Sequence, residues 1–449
     1  MSDYRRIADR IADDIATGRL RPGQRLPTQR AFARRRGVAP STAGRVYGEL
    51  VRRGLVVGEV GRGTFVRAAP VTGQAGRTLT EPGPGAAPVN LELNYPCAPG
   101  QSELLAPVLA PLLRPDVLAE ALLPAAATGT EAARQAAATL LTTPGWRPAP
   151  ERLLFTGNAR QAIAAVLASL VRPGGRVGVE QLTYPLVKQI AARLGITLVP
   201  LAGDAAGLLP EAVAAAHRSA PLSALYVQPT LHNPTSLTTG RPRLLQLAQL
   251  VHDLNLPVVE DRIWSFLREP GDPLAVHAPA LTHVVDGLSK RVAPGLTAGF
   301  LVVPPHRAAA VAGAVRSGGW NAGRFALEAA VRWAAEGTVA RLVEAKRADA
   351  ARRQRILAEE LAGFTVRSDP GAYFAWWELP APWRADTFTA AAAAHGIAVT
   401  PGPDFAVAPG HTPDAVRLGL ASAPEPDLRR ALRTLARLAA RRDGETTGP

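Results

Sequence analysis

The sequence predicts an α/β protein in which a small winged helix-turn-helix precedes a large domain with a mainly parallel central sheet. Two observations carry this expectation. From Leu153 onward, short apolar runs bounded by turn residues alternate with longer helix-like segments, the pattern of β-α-β units. Ahead of them, residues 1–67 hold fifteen arginines against six acidic residues, a surplus of nine within a net charge of +14 for the whole chain. Such an asymmetry points to a polyanion as the partner of the first segment.

The elements of that segment follow from spacing. Tyr4 to Thr17 places Ile7, Ile11 and Ile15 on one face with Ala8 and Ala12 beside them, and Gly18 stops the helix. After the turn RLRPGQRLP, Thr28 caps a second helix, QRAFARRR, which ends at Gly37. A third helix begins at Pro40 or Ser41, where proline is tolerated, and runs to Arg53 with Val46 and Leu50 inward. VVGEVGRGTFV alternates around a Gly-Arg-Gly turn and reads as a hairpin. In this geometry the third helix enters the major groove by its amino end, and the hairpin tip reaches backbone or minor groove. Ser41, Thr42 and Arg45 are therefore groove candidates, while Arg30 and Arg62 are candidates for phosphate or base contact. A basic helical bundle with solvated arginines is the plainer alternative.

Residues 68–90 are rich in Pro, Gly, Ala and Thr without a periodic apolar face, and read as a linker. Beyond it, strand-like LLFT, VGVE, TLVPL and ALYVQP alternate with helical QAIAAVLASLV, YPLVKQIAARLG and LLQLAQLVHDL. Three more apolar runs follow, Leu256 to Val259, His283 to Val285 and Gly299 to Val303. Asp261 and Lys290 stand where such runs give way to loops, the place where an open α/β sheet presents functional groups to a crevice. An amine opposite a carboxylate is the pair a pyridoxal phosphate site uses, one as Schiff-base former and the other as partner of the pyridine nitrogen. The chain has three lysines, so candidates for the amine are few; Lys188 and Lys346 read as solvated helix faces. Thr156 to Ala159 form a strand-to-helix junction able to aim N–H groups at a phosphate.

Composition sets the outer limits. At 449 residues the chain is long enough for two or three domains with sizeable cores. Its one cysteine, Cys97, excludes an internal disulfide and fits a reducing compartment. No long uncharged apolar segment occurs, so a cytoplasmic protein without membrane spans is expected, and no metal site is indicated.

Along its whole length, the segment YRRIADRIADDIATGRLRPGQRLPTQRAFARRRGVAPSTAGRVYGELVRRGLVVGEVGRGTFV resembles the DNA-binding domain of GntR-type bacterial regulators. It departs at Ala39, Pro40 and Gly44, leaving Arg45 as the base-reading candidate. The remainder resembles fold type I pyridoxal phosphate enzymes, through FTGNARQAI, EQLTYP, VQPTLHNPTSLTTGRPRLLQLA, VVED, GLSK, PGLTAGFLVVP, EGTVARLVEAKRADAARRQRIL, PGAYFAWWEL, HGIAVTPGPDF and VRLGLA. The pair of domains is similar to the MocR subfamily of GntR regulators. The resemblance implies a DNA-binding domain at 1–67, a linker at 68–90 and an aminotransferase-like domain at 91–440. Within the last, a small α+β subdomain covers about 341–440, and 441–449 are a tail.

By the same resemblance, Lys290 forms the Schiff base, Asp261 meets the pyridine nitrogen, and Asn233 donates to the ring oxygen. Tyr184 covers the ring, Gly157, Asn158 and Ala159 meet the phosphate, and Arg417 clamps a ligand carboxylate. Three departures weaken the site. Ile263 stands where the family has a tyrosine, Gly287 where it has a hydroxyl residue, and Thr297 where an arginine neutralises the phosphate. Arg291 is the candidate to replace that last charge.

The function expected is a homodimeric transcription regulator that binds a double-stranded DNA operator and senses pyridoxal phosphate, a small amine or an amino acid. The departures favour sensing over catalysis. A working aminotransferase is one alternative, and a degenerate scaffold sensing another ligand is the other.

Overall fold

The computed structural model describes residues 3–16, 19–21, 23–59, 63–67, 88–269, 271–408 and 413–440. At the amino end lie helices Asp3–Ala16, Gln29–Arg36 and Pro40–Arg52, followed by strands Val56–Glu59 and Gly63–Val66. The two strands pair antiparallel, and the short strand Arg25–Leu26 adds to the outer edge of Gly63–Val66. That third strand lies within the turn between the first two helices, where two residues are too few to show a period. Thr28 caps the second helix by accepting from the Ala31 N–H at 3.3 Å, and Gly37 closes it in the left-handed region at φ 63°. Ile11, Phe32, Val46 and Leu50 meet in the core of this unit, where the Tyr47 hydroxyl donates to the Pro27 carbonyl at 2.6 Å.

The large sheet has seven strands. In spatial order these are Leu153–Thr156, Gly299–Val302, Thr282–Gly287, Val258–Asp261, Ala224–Val227, Arg176–Glu180 and Thr197–Leu201. Gly299–Val302 alone runs antiparallel to its two neighbours; the other pairings are parallel. Every residue of the five strands at the Leu153–Thr156 side of this order is buried, because helices cover both faces. This accounts for the continuous apolar runs that marked these strands in the sequence. Parallel strands all end on one edge of the sheet, so Glu180, Val227, Asp261 and Gly287 arrive there together.

The carboxyl-terminal part is a second layered unit. Strands Val366–Ser368, Phe374–Glu378, Ala415–Gly419 and Thr400–Pro401 form an antiparallel sheet, packed by helices Thr338–Glu360, Ala385–Ala394 and Glu425–Ala440. Trp377, Phe388, Leu418 and Leu432 fill its core. Val89 and Asn90, assigned to the linker from sequence, instead form a strand paired parallel with Ile397–Ala398. A two-residue pairing with a partner three hundred residues away leaves no local signal. Arg384 of this unit lies over the Phe65 ring of the amino-terminal hairpin, 4.6 Å from its centroid. Among the described residues, no helix is long and apolar enough to cross a membrane.

Two glycines test the packing in opposite directions. A Cβ on Gly299 would lie 2.4 Å from Thr156 Oγ1 and 2.5 Å from the Asn158 carbonyl carbon. Gly48, exposed within the third helix, would meet nothing within 4 Å. Gly299→Ala is expected to destabilise the chain by about 1–3 kcal/mol through overpacking. Gly48→Ala is expected to stabilise the amino-terminal unit by about 0.5–1 kcal/mol through helix entropy. Denaturant midpoints of the two variants check both signs.

Candidate functional site

Asp261 ends a central strand with 3% of its surface exposed, so its carboxylate needs hydrogen-bond donors. It has three. The Tyr226 hydroxyl and Gln228 Nε2 donate to Oδ2 at 2.7 and 2.8 Å, and the Ile263 N–H donates to Oδ1 at 3.0 Å. Burial nevertheless holds its pKa above the usual carboxylate range. Glu180, at the end of a nearby strand, is pushed up to about 7 by burial. Gln228 also accepts the Asn233 N–H at 3.3 Å, which fixes Asn233 on the same wall.

Lys290 follows directly on strand Thr282–Gly287, in the short helical turn Leu288–Arg291. Its Nζ donates to the Asn94 carbonyl at 2.7 Å and lies 4.5 Å from the Tyr95 ring centroid and 5.0 Å from that of Trp264. Burial, then the positive charges of Arg417, Arg160 and Lys346, lower its pKa to about 7. At neutral pH a large share of this amine is therefore unprotonated and nucleophilic.

One pocket is lined by Asn158, Ala159, Tyr184, Asn233, Asp261, Lys290 and Arg417, so the structure brings together the candidates that the sequence scattered over 260 residues. Arg417 is 5% exposed; its Nη2 donates to the Glu92 carbonyl at 2.5 Å and to Thr400 Oγ1 at 3.1 Å. Burial lowers its pKa to about 10. Asn158 caps helix Ala159–Leu170 by accepting the Gln161 N–H at 3.1 Å. Gly157 does not line the pocket: its N–H donates to the Trp320 carbonyl at 3.1 Å, which corrects its assignment to a phosphate.

The departures can now be read physically. A Cβ at Gly287 would stand 2.8 Å from the Ala298 carbonyl oxygen, so the antiparallel strand beside it leaves no room for a hydroxyl side chain. Thr297 lines the pocket with a buried Oγ1 that has no hydrogen-bond partner. Arg291 does not compensate: it is buried, ion-paired to Asp286 with Nη2–Oδ2 at 2.5 Å, and stacked over Phe266. Lys346 is not solvated, and Lys188 is half-buried. Lys188 Nζ donates to the Ala406 carbonyl at 2.9 Å. Lys346 is fully buried and donates to the carbonyls of Lys290 and Val292 at 3.0 and 2.7 Å.

Trp264, Tyr95 and Arg160, all on the pocket wall, escaped the sequence reading. Trp264 stands one residue past Ile263, and its aromatic ring beside the DRI run was the available signal. Tyr95 sits 195 residues before Lys290 and gave none.

Four residues of this pocket carry a buried polar atom without a hydrogen-bond partner among the described residues: Asn233 Oδ1, Thr297 Oγ1, Asn94 Nδ2 and Arg417 Nε. Together with an amine of lowered pKa, a buried acid and the Tyr184 ring, they fit a small polar aromatic ligand carrying an aldehyde. The donor set agrees with pyridoxal phosphate.

In the amino-terminal unit, Arg30, Ser41 and Arg45 are exposed and Thr42 is half-buried. Arg30 and Arg45 have no hydrogen bond or ion pair among the described residues, whereas Arg52 and Arg53 are pinned by Glu49, and Arg53 also by Asp9. The first pair is thus available to an external anion. Arg62 lies outside the described residues.

A basic winged helix-turn-helix joined to an aminotransferase-like pocket defines a transcription regulator with an aminotransferase-like domain. Residues 125–435 match the model for aminotransferase class I and II, and residues 3–66 match that for bacterial regulatory proteins of the gntR family. The chain belongs to the aminotransferase class I and II family and carries a gntR-family domain ahead of it, a pairing that agrees with the MocR subfamily. It is 28% identical to the uncharacterized HTH-type transcriptional regulator YdeF of Bacillus subtilis, over 93% of this chain and 90% of that one. It is 26% identical to the HTH-type transcriptional regulator TauR of Rhodobacter capsulatus, over 68% of each chain. Among solved structures, an archaeal alanine:glyoxylate aminotransferase superposes with a TM-score of 0.72 at 18% identity, covering 78% of this chain and 90% of that one. The α-aminoadipate aminotransferase LysN of Thermus thermophilus gives 0.69 at 24%, covering 78% and 92%. At these identities the two likenesses concern the fold.

Lys290 titrates near pH 7 in the folded chain against 10.5 for an ordinary lysine. The unfolded chain therefore holds the extra proton between these values, and folding is favoured as pH rises through that window. Reductive alkylation by a small aldehyde, read by peptide mass spectrometry, is expected to modify Lys290 with a midpoint near pH 7, well below that of a denatured control.

Proposed function

We propose that this regulator binds a defined DNA operator as a homodimer, and that its aminotransferase-like pocket holds pyridoxal phosphate, with a small amine or amino acid as effector. The observation that carries the proposal is the meeting of Lys290 and Asp261 in one cavity whose wall keeps polar atoms without partners. When bound, the cofactor supplies an aldehyde for imine chemistry and a pyridine ring that draws electrons.

The chain's own groups do the rest. Lys290, its pKa lowered to about 7 by burial, is the nucleophile toward the aldehyde. Asp261, held by Tyr226, Gln228 and the Ile263 N–H, presents a fixed carboxyl to the ring nitrogen. Tyr184 and Asn233 line the same pocket, where Tyr184 would cover the ring face and the Asn233 side-chain amide would donate to the ring oxygen. Arg417, with Nε still unpartnered, is placed to take an effector carboxylate. An effector alters DNA affinity only if it favours one arrangement of head and pocket over another. A dimer presents two heads, which requires half-sites about one helical turn apart or a multiple of that spacing.

The depressed pKa of Lys290 also favours a second reading, a working aminotransferase, since transamination needs that amine unprotonated. Thr297, Ile263 and Gly287 stand against efficient turnover. Repeated transamination cycles by the purified chain, abolished in Lys290→Ala, would place catalysis first.

For the regulator, Arg45→Ala is expected to weaken binding to an operator selected from random duplexes by about 1–3 kcal/mol and to relax preference at one position. Arg30→Ala is expected to weaken all sequences alike and to flatten the salt dependence. Equal affinity of the intact protein for its selected site and for random DNA at matched salt refutes the regulatory reading. A visible absorbance acquired with pyridoxal phosphate and missing in Lys290→Ala tests the pocket.

A further inference from the structure

Four basic side chains at or beside the pocket already have hydrogen-bond partners among the described residues. Arg291 is held by Asp286, Arg417 by the Glu92 carbonyl and Thr400, Lys290 by the Asn94 carbonyl, and Lys346 by two backbone carbonyls. Arg160 has no hydrogen bond or ion pair among the described residues.

Its position is specific. Arg160 is the second residue of helix Ala159–Leu170, directly after the cap formed by Asn158. The cap satisfies the Gln161 N–H and leaves the first N–H groups of the helix without an intrahelical acceptor. On the same pocket wall Thr297 has a buried Oγ1 without a hydrogen-bond partner among the described residues. Arg160 lies close enough to Lys290 and Tyr184 for its charge to bear on both. It also borders an outer groove with Gln189, Arg193 and Trp320, so its long side chain stands between that groove and the pocket.

We propose that Arg160 supplies the positive charge that binds the ligand's phosphate, in place of the arginine absent from position 297. The helix N–H groups and Thr297 Oγ1 add neutral donors on the same wall, and a dianion there completes groups the fold leaves open. This rests on the reading that the pocket takes pyridoxal phosphate, and the test separates the two claims.

Equilibrium dialysis of the full chain against pyridoxal phosphate and against unphosphorylated pyridoxal gives two dissociation constants, whose ratio reports phosphate recognition alone. Arg160→Gln is expected to reduce that ratio at least about tenfold, the effect of losing one charge-assisted hydrogen bond. Arg160→Lys should retain part of it. Arg193→Gln, confined to the outer groove, should retain all of it, and adding Thr297→Arg to Arg160→Gln should recover it. An unaltered ratio in Arg160→Gln overturns the assignment while leaving the cofactor reading intact. A wild-type chain that binds neither compound overturns both.

Discussion

A carboxylate buried at the end of a central β-strand is the constraint on which this pocket depends. Asp261 is nearly inaccessible, and a charge in that position survives only where donors replace the water it has lost. Tyr226 and Gln228 come from the neighbouring strand and its extension, and the Ile263 N–H comes from the turn that follows. Parallel pairing sets this up: Tyr226 stands opposite Val259, two residues before the acid. The same register places Asp261 opposite Val285, so that the chain crosses the crevice five residues later at Lys290. Acid and amine are thus positioned by sheet hydrogen bonds rather than by flexible loops.

A second set of contacts holds the amine. Lys346, from the long helix Thr338–Glu360, inserts a fully buried ammonium group under the turn that carries Lys290 and takes two of its carbonyls. Burial lowers its own pKa to about 8, so the support is itself close to titrating at neutral pH. From above, the segment that leaves the linker brings the Asn94 carbonyl and the Tyr95 ring to Lys290 Nζ. That segment is anchored by Val89–Asn90 in the small subdomain. The pocket is therefore bounded by chain from both ends of the aminotransferase-like region.

The head shows the same division between held and free charge. Arg52 and Arg53 fold back on Glu49 and Asp9 and serve the packing of the first and third helices. Arg30 and Arg45, without such partners among the described residues, keep their charge for an external anion. Contact between Phe65 and Arg384 joins the head to the subdomain that also carries Arg417.

The sequence by itself determined the order of elements and the two groups at the heart of the site. Continuous apolar runs mark buried parallel strands whatever surrounds them, and a functional group at a strand's carboxyl end faces the crevice in any open α/β sheet. Isoleucines at helical spacing and a surplus of arginine likewise defined the head. What lay beyond local pattern was decided in three dimensions. Gly157 turns its N–H to Trp320, Arg291 is consumed by Asp286, Lys346 is swallowed by the core, and Tyr95 arrives from almost two hundred residues away. Partnership and burial depend on which distant segments pack together, and a one-dimensional string carries no record of that.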